Sequence, residues 1–141
     1  MRNEANIRFP SYSVNESFAR IAVSAFLAPL NPTVTLLSDV KTAVSEAVTN
    51  AIVHGYRDTL GEIEMKLAYN DEILRIEILD DGVGIADVAE ARRPFFTTCT
   101  DGTRSGMGFM VMESFMDEVS VVSAPEEGTR VVMIKKLGKP Q

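Results

Sequence analysis

The chain has 141 residues, 45% of them apolar and 24% charged, with 14 lysines and arginines against 20 aspartates and glutamates; this is the profile of one globular domain over 1–141 that needs no disulfide or metal staple to fold. A formal net charge of −6 weighs against duplex DNA, RNA or an anionic membrane as the main partner, because phosphates call for basic surface. One cysteine, Cys99, and one histidine, His54, exclude an internal disulfide and a cysteine-rich zinc site, and they argue against a built-in transition-metal centre.

The most apolar early stretch, residues 21–30, is broken by Ser24 and Pro29 and falls well short of the roughly 20 residues that span a bilayer. The start, Met1-Arg2-Asn3-Glu4, leads into a mixed segment with no secretory h-region, so a cytoplasmic protein is expected.

In chain order, residues 5–10 predict a short edge strand ended by Pro10. Ser13 and Glu16 have capping-box spacing ahead of a first helix over residues 15–28, and Pro29 and Pro32 bracket a turn. The clearest signal covers residues 33–54, with Gly55 placed as a C-terminal cap. At about 100° per residue, Leu36, Leu37, Val40, Ala43, Val44, Ala47, Val48, Ala51 and Ile52 fall on one arc, which predicts a helix with one buried face.

A hairpin follows. Ile63, Met65 and Leu67 share one parity, as do Leu74, Ile76 and Ile78, with Tyr69-Asn70-Asp71-Glu72 as the connection. Asp80 shares that second parity and is expected to face the covered side of the sheet. A short helical segment over residues 87–92, a Gly-containing loop over residues 99–108 and a helix over residues 109–117 come next. Strands at residues 119–123 and 129–136 then pair across Pro125-Glu126-Glu127-Gly128. This order predicts an α+β two-layer sandwich, with helices on one face of a mostly antiparallel sheet.

Four constellations could carry chemistry. Glu46 and Asn50 are helical neighbours at the border of the apolar arc, where a residue lining a cleft would lie. A carboxylate there can accept a proton and an amide oxygen can ligate Mg²⁺, although two polar residues on a half-exposed helix would look the same. His54 extends the row by one turn, in reach of a ligand or simply of the helix dipole. Asp80-Asp81-Gly82-Val83-Gly84 joins an inward carboxylate, costly without a partner, to glycines that allow close backbone approach. Such a carboxylate could accept from an amino group like that of adenine, or be a satisfied aspartate in a plain turn. Arg104-Ser105-Gly106-Met107-Gly108 opens onto a helix, an arrangement that suits an anion or merely starts the helix. Gly128-Thr129 alone is an ordinary hairpin end.

In this order, a Glu-x-x-x-Asn helix, an Asp-x-Gly-x-Gly strand end, a Gly-x-Gly before a helix and a Gly-Thr entering the last strand resemble the GHKL (Bergerat-type) ATP-binding domain. The likeness covers residues 33–136. Within that superfamily the chain looks most similar to the small bacterial anti-sigma factors that are also serine-protein kinases, the sporulation type in particular. The residues that carry this are Asn15-Glu16-Ser17-Phe18-Ala19-Arg20, the run from Ser45-Glu46-Ala47 through Asn50 to His54-Gly55-Tyr56, and Ser105-Gly106-Met107-Gly108-Phe109. Met112-Glu113 and Phe115-Met116-Asp117-Glu118-Val119 extend the match.

The resemblance implies ATP or ADP and Mg²⁺ as ligands, with Asn50 on the metal, Glu46 as general base, Asp80 on adenine and Thr129 as its supporting neighbour. It implies that Gly82 and Gly84 shape the base pocket and that residues 104–109 (Arg104, Ser105, Gly106, Met107, Gly108, Phe109) close over the phosphates. It also assigns His54, Thr97 and Thr98 to the nucleotide site, and Arg20 and Arg104 to the partner surface. The expected partners are a sigma factor, an antagonist protein phosphorylated on serine, and a second copy of the chain.

Chemistry points the same way. Histidine kinases of this superfamily usually have asparagine where Glu46 stands and a lysine near His54; a histidine acceptor needs little proton removal, whereas a serine hydroxyl or a water does. The clamp ATPases add a second domain that 141 residues leave no room for. Two other readings stay open: a stress-response anti-sigma kinase, against which Arg93-Pro94-Phe95-Phe96-Thr97-Thr98 weighs, and a binding module that nucleotide shapes without phosphotransfer. Cys99 is expected to be incidental.

Overall fold

The computed structural model describes residues 1–56, 60–82, 108–123 and 128–138. The expected helical segment at residues 87–92, the residues 93–98 segment and Cys99 lie outside them. The elements run β1 (Asn3–Pro10), α1 (Asn15–Leu27), a 3-10 turn (Ala28–Leu30), α2 (Val34–Asn50), a π turn (Ala51–Gly55), β2 (Glu62–Tyr69), β3 (Ile73–Asp80), α3 (Gly108–Phe115), β4 (Glu118–Ser123) and β5 (Thr129–Lys136). No helix among the described residues is long and apolar enough to cross a membrane.

The strands form one antiparallel sheet in the order β1-β2-β3-β5-β4. Strand period two divides it into unlike faces. Phe9, Ile63, Met65, Leu67, Leu74, Ile76, Ile78, Val131 and Met133 point to the covered face and are buried there with Ala19, Val23 and Leu27 of α1, the apolar stripe of α2, and Phe109 and Met112 of α3. The result is the expected α+β two-layer arrangement. On the other face Glu77 is buried between Arg75, which it pairs with directly, and Arg130 at 3.7 Å. Its partners compensate the cost of burying a charge.

Local chemistry sets the boundaries. Thr33 caps α2, its hydroxyl accepting the Leu36 N–H at 3.1 Å. Asn70 closes the β2–β3 turn by accepting the N–H groups of Glu72 and Ile73 through Oδ1. Lys135 of β5 donates to the Phe115 carbonyl at 2.6 Å and so satisfies the end of α3.

Two expected boundaries change. The Ser13/Glu16 capping box does not form, since Val14 occupies the N-cap position with no side-chain cap bond; the Glu16 carboxylate is instead engaged by Ser45 of α2 and by Arg20. Tertiary partners outcompete the local cap. Gly55 is also not the cap of a regular helix, because α2 ends at Asn50, a π turn carries the chain through Gly55, and Tyr56 is the C-cap residue.

Candidate functional site

On α2, Glu46 and Asn50 are both half-buried and flank the buried stripe of Val40, Ala43, Val44, Ala47 and Val48. Glu46 lines a groove together with Arg20 of α1 and with Leu37, Lys41 and Ser45 of its own helix. Arg20 Nε lies 3.2 Å from Glu16 Oε1, and the Ser45 hydroxyl donates to that same oxygen. The candidate partner residue and the candidate base therefore share one groove, and a short polar chain ties α1 to the residue beside Glu46.

The second cluster sits where β3 ends. Asp80 is only 8% exposed and points to the covered face, as its parity requires. Its Oδ1 accepts the Gly82 N–H at 2.9 Å, and the Thr129 backbone N–H also donates to the carboxylate. Burial pushes this carboxyl up to about 6; the two backbone hydrogen bonds oppose the shift and nearby Asp81 adds to it. A carboxylate has about four acceptor positions, so two backbone donors leave capacity for a ligand's N–H.

Thr129 is the register partner of Asp80, and its hydroxyl meets Ser123 Oγ at 2.8 Å. Gly128 is required beside it: its φ is 81°, and a Cβ there would lie 2.1 Å from the Asp80 carbonyl oxygen. The π turn that continues α2 packs against β3. Asn50, at the end of α2, and Asp80 thus belong to the same end of the helix–sheet layer.

Among the other expected site residues, Gly82 follows β3 and bonds Asp80 as described. Gly108 opens α3, and Phe109 behind it is 7% exposed. Its ring packs in the core, so what Phe109 can offer a ligand is its backbone N–H at the start of α3. Gly84, Thr97, Thr98, Arg104, Ser105, Gly106 and Met107 lie outside the described residues, as does the side chain of His54.

Sequence reasoning missed Tyr56, whose hydroxyl accepts the Asp81 N–H at 2.6 Å and donates to the Glu62 carbonyl at 2.7 Å. It also missed Gly61, where a Cβ would fall 2.1 Å from the Tyr56 ring. The signal was a lone glycine just before an alternating strand, which marks close backbone approach.

Comparison with known proteins follows the same lines. The family model for the histidine kinase-like ATPase domain matches residues 13–135. Anti-sigma F factors of Bacillus licheniformis and Geobacillus thermodenitrificans (strain NG80-2) are each 51% identical over 140 residues, and that of Bacillus subtilis (strain 168) is 49% identical; each alignment covers 99% of this chain and 96% of the relative. Among solved structures, the RsbU and RsbW domains of Rv1364c from Mycobacterium tuberculosis superpose with a TM-score of 0.70 at 19% identity, covering 98% of this chain and 33% of that one. The mycobacterial sensor histidine kinase MprB gives a TM-score of 0.57 at 21% identity over 74% of each chain. These two likenesses concern the fold. The chain belongs to the histidine kinase-like ATPase (GHKL) family and, within it, to the family of anti-sigma F factors.

Proposed function

We propose that the chain is an anti-sigma factor that holds a sporulation sigma factor inactive and, as an ATP-dependent serine kinase, phosphorylates and so inactivates that factor's antagonist. The observation that carries this reading is the placement of Glu46 in one groove with Arg20. A proton acceptor for a serine hydroxyl then stands beside the residue assigned to the partner surface.

The residues fit a nucleotide. Asp80 is buried, is held by backbone donors and retains acceptor capacity, which suits the exocyclic amino group of adenine, with Thr129 supporting it and Gly82 and Gly84 shaping the pocket. Asn50 would hold Mg²⁺ through its amide oxygen. Bound ATP with Mg²⁺ supplies the γ-phosphoryl group and offsets its charge.

The chain's own part is proton removal and positioning. Glu46 takes the proton from the acceptor serine Oγ. Residues 104–109 close over the phosphates, where Arg104 and the backbone N–H groups stabilise the transferring group; His54, Thr97 and Thr98 complete the nucleotide site. Arg20 and Arg104 meet the partner protein, and the working unit is a homodimer.

Incubation with Mg²⁺, γ-labelled ATP and a purified antagonist protein tests the reading. Label on an antagonist serine, absent with Glu46→Ala, is expected. Nucleotide bound without label transfer would leave a nucleotide-gated binding module in place of a kinase.

A further inference from the structure

Tyr56 has no place in the chemistry above, yet it sits at the centre of a network that nothing else explains. The β2–β3 ladder ends at the pair Ile63 and Asp80. Glu62 and Asp81 would form the next rung, and the Tyr56 hydroxyl stands between them, donating to the Glu62 carbonyl at 2.7 Å and accepting the Asp81 N–H at 2.6 Å. A hydroxyl has one hydrogen to give and lone pairs to receive, so it can bridge the Glu62 carbonyl and the Asp81 N–H where the ladder no longer pairs them directly.

The ring is held as deliberately as the hydroxyl. It lies against the bare Cα of Gly61, where any Cβ would overlap Cε1 and Cζ at 2.1 and 2.3 Å. Gly61 is fixed in turn by Ser11 at the end of β1: the Ser11 N–H donates to the Gly61 carbonyl, and the Gly61 N–H donates to Ser11 Oγ, both at 2.9 Å. On the opposite side, Gly128 packs its missing Cβ against the Asp80 carbonyl. The peptide that follows the buried carboxylate is thus held at both its carbonyl and its N–H. Burial, with the nearby Asp80 and Asp81 charges adding to it and the bonds to Asp81 and Glu62 opposing, raises the Tyr56 pKa above its ordinary 10.0, so the hydroxyl keeps the proton that the bridge requires.

We infer that Tyr56 is a positioning residue for base selection: by bridging the ends of β2 and β3 it fixes the angle at which Asp80 meets the exocyclic group of the purine. The inference rests on the assignment of Asp80 to adenine. Adenine presents an N–H donor at that position, and hypoxanthine presents a carbonyl that repels a carboxylate. Discrimination between them depends on how closely the carboxylate is aimed, and a loosened strand end costs the favourable contact more than it costs the rest of the nucleotide.

The test is calorimetric titration of the full chain with Mg-ADP and Mg-IDP, for the wild type and for Tyr56→Phe, Gly61→Ala and Asp80→Asn, each checked for folding by circular dichroism. The wild type is expected to prefer ADP strongly. Tyr56→Phe and Gly61→Ala are expected to compress the ADP:IDP ratio by about tenfold, the effect of weakening one hydrogen bond to a charged acceptor. A purely structural role would lower the melting temperature, or both affinities together, and leave the ratio unmoved. An unchanged ratio in a folded Tyr56→Phe or Gly61→Ala, while Asp80→Asn abolishes the preference, overturns the role of Tyr56 alone. No preference in the wild type, or a preference that survives in Asp80→Asn, overturns the Asp80 assignment first. Unfolding of both the Tyr56 and Gly61 variants would make the bridge a folding element and overturn the positioning role.

Discussion

Asp80→Asn should make the protein more stable and a worse nucleotide binder, and the size of the gain follows from the site. The Asp80 carboxyl is raised from 3.8 to about 6 by burial. A shift of about two units corresponds to about 3 kcal/mol of differential cost for the charged form. Because the folded pKa lies above the unfolded one, the folded chain binds more protons than the unfolded chain between about pH 4 and about pH 6. Stability from this group is therefore greatest below pH 4, falls as pH rises through 6, and stays low above it.

An asparagine keeps an oxygen for the Gly82 and Thr129 N–H groups and carries no charge, so the variant should gain up to about 3 kcal/mol at pH 8, or about 10 °C in Tm at this chain length. The unmet needs of its NH2 group reduce that figure. Urea unfolding of both proteins from pH 4 to pH 8 isolates the term, since titrating groups not coupled to Asp80 cancel in the difference and its charged neighbour Asp81 shifts with it. A variant less stable than wild type at pH 8, or a difference that does not grow between pH 4 and pH 6, would rule this out.

Further outcomes are specific to other parts of the fold. Gly128→Ala should lower ADP affinity and cost about 2 kcal/mol or more by chemical denaturation, because it demands φ of 81° from a residue with a Cβ and drives that atom onto the Asp80 carbonyl. Met112→Ala, fully buried on α3, should cost about 2–5 kcal/mol, read from a lower urea midpoint. Thr33→Ala removes the acceptor of the Leu36 N–H and should cost about 1 kcal/mol, read as a lower thermal midpoint. Glu77→Lys sets a third cation between Arg75 and Arg130; a loss of about 3 kcal/mol or more is expected, and an unchanged midpoint would show that the outer sheet face is not held by that pairing.

Much of the fold was legible because its elements obey one clear period each. Alternation in β2 and β3 put Ile63, Met65, Leu67, Leu74, Ile76 and Ile78 on the covered face, and the same parity carried Asp80 inward. The apolar arc of α2 likewise predicted its buried stripe. What failed was local chemistry overruled by distant partners. Glu16 reads as a capping residue until Ser45, far along the chain, claims its carboxylate. At the site, residue types and order suggested Glu46, Asn50, Asp80 and Thr129, but the bridge made by Tyr56 depends on two strand ends meeting and has no period to betray it.

The most direct test of the central claim starts from a purified complex of the wild-type chain with its sigma factor and ADP, exchanges in Mg²⁺ and γ-labelled ATP, and adds the unphosphorylated antagonist, with a parallel complex made from Glu46→Ala. Labelled serine is expected on the antagonist with the wild-type chain only, while both chains retain the ability to bind the sigma factor. Equal labelling by the two chains would remove Glu46 from the chemistry. Sigma factor bound and released with no label on the antagonist in either reaction would contradict the kinase claim itself.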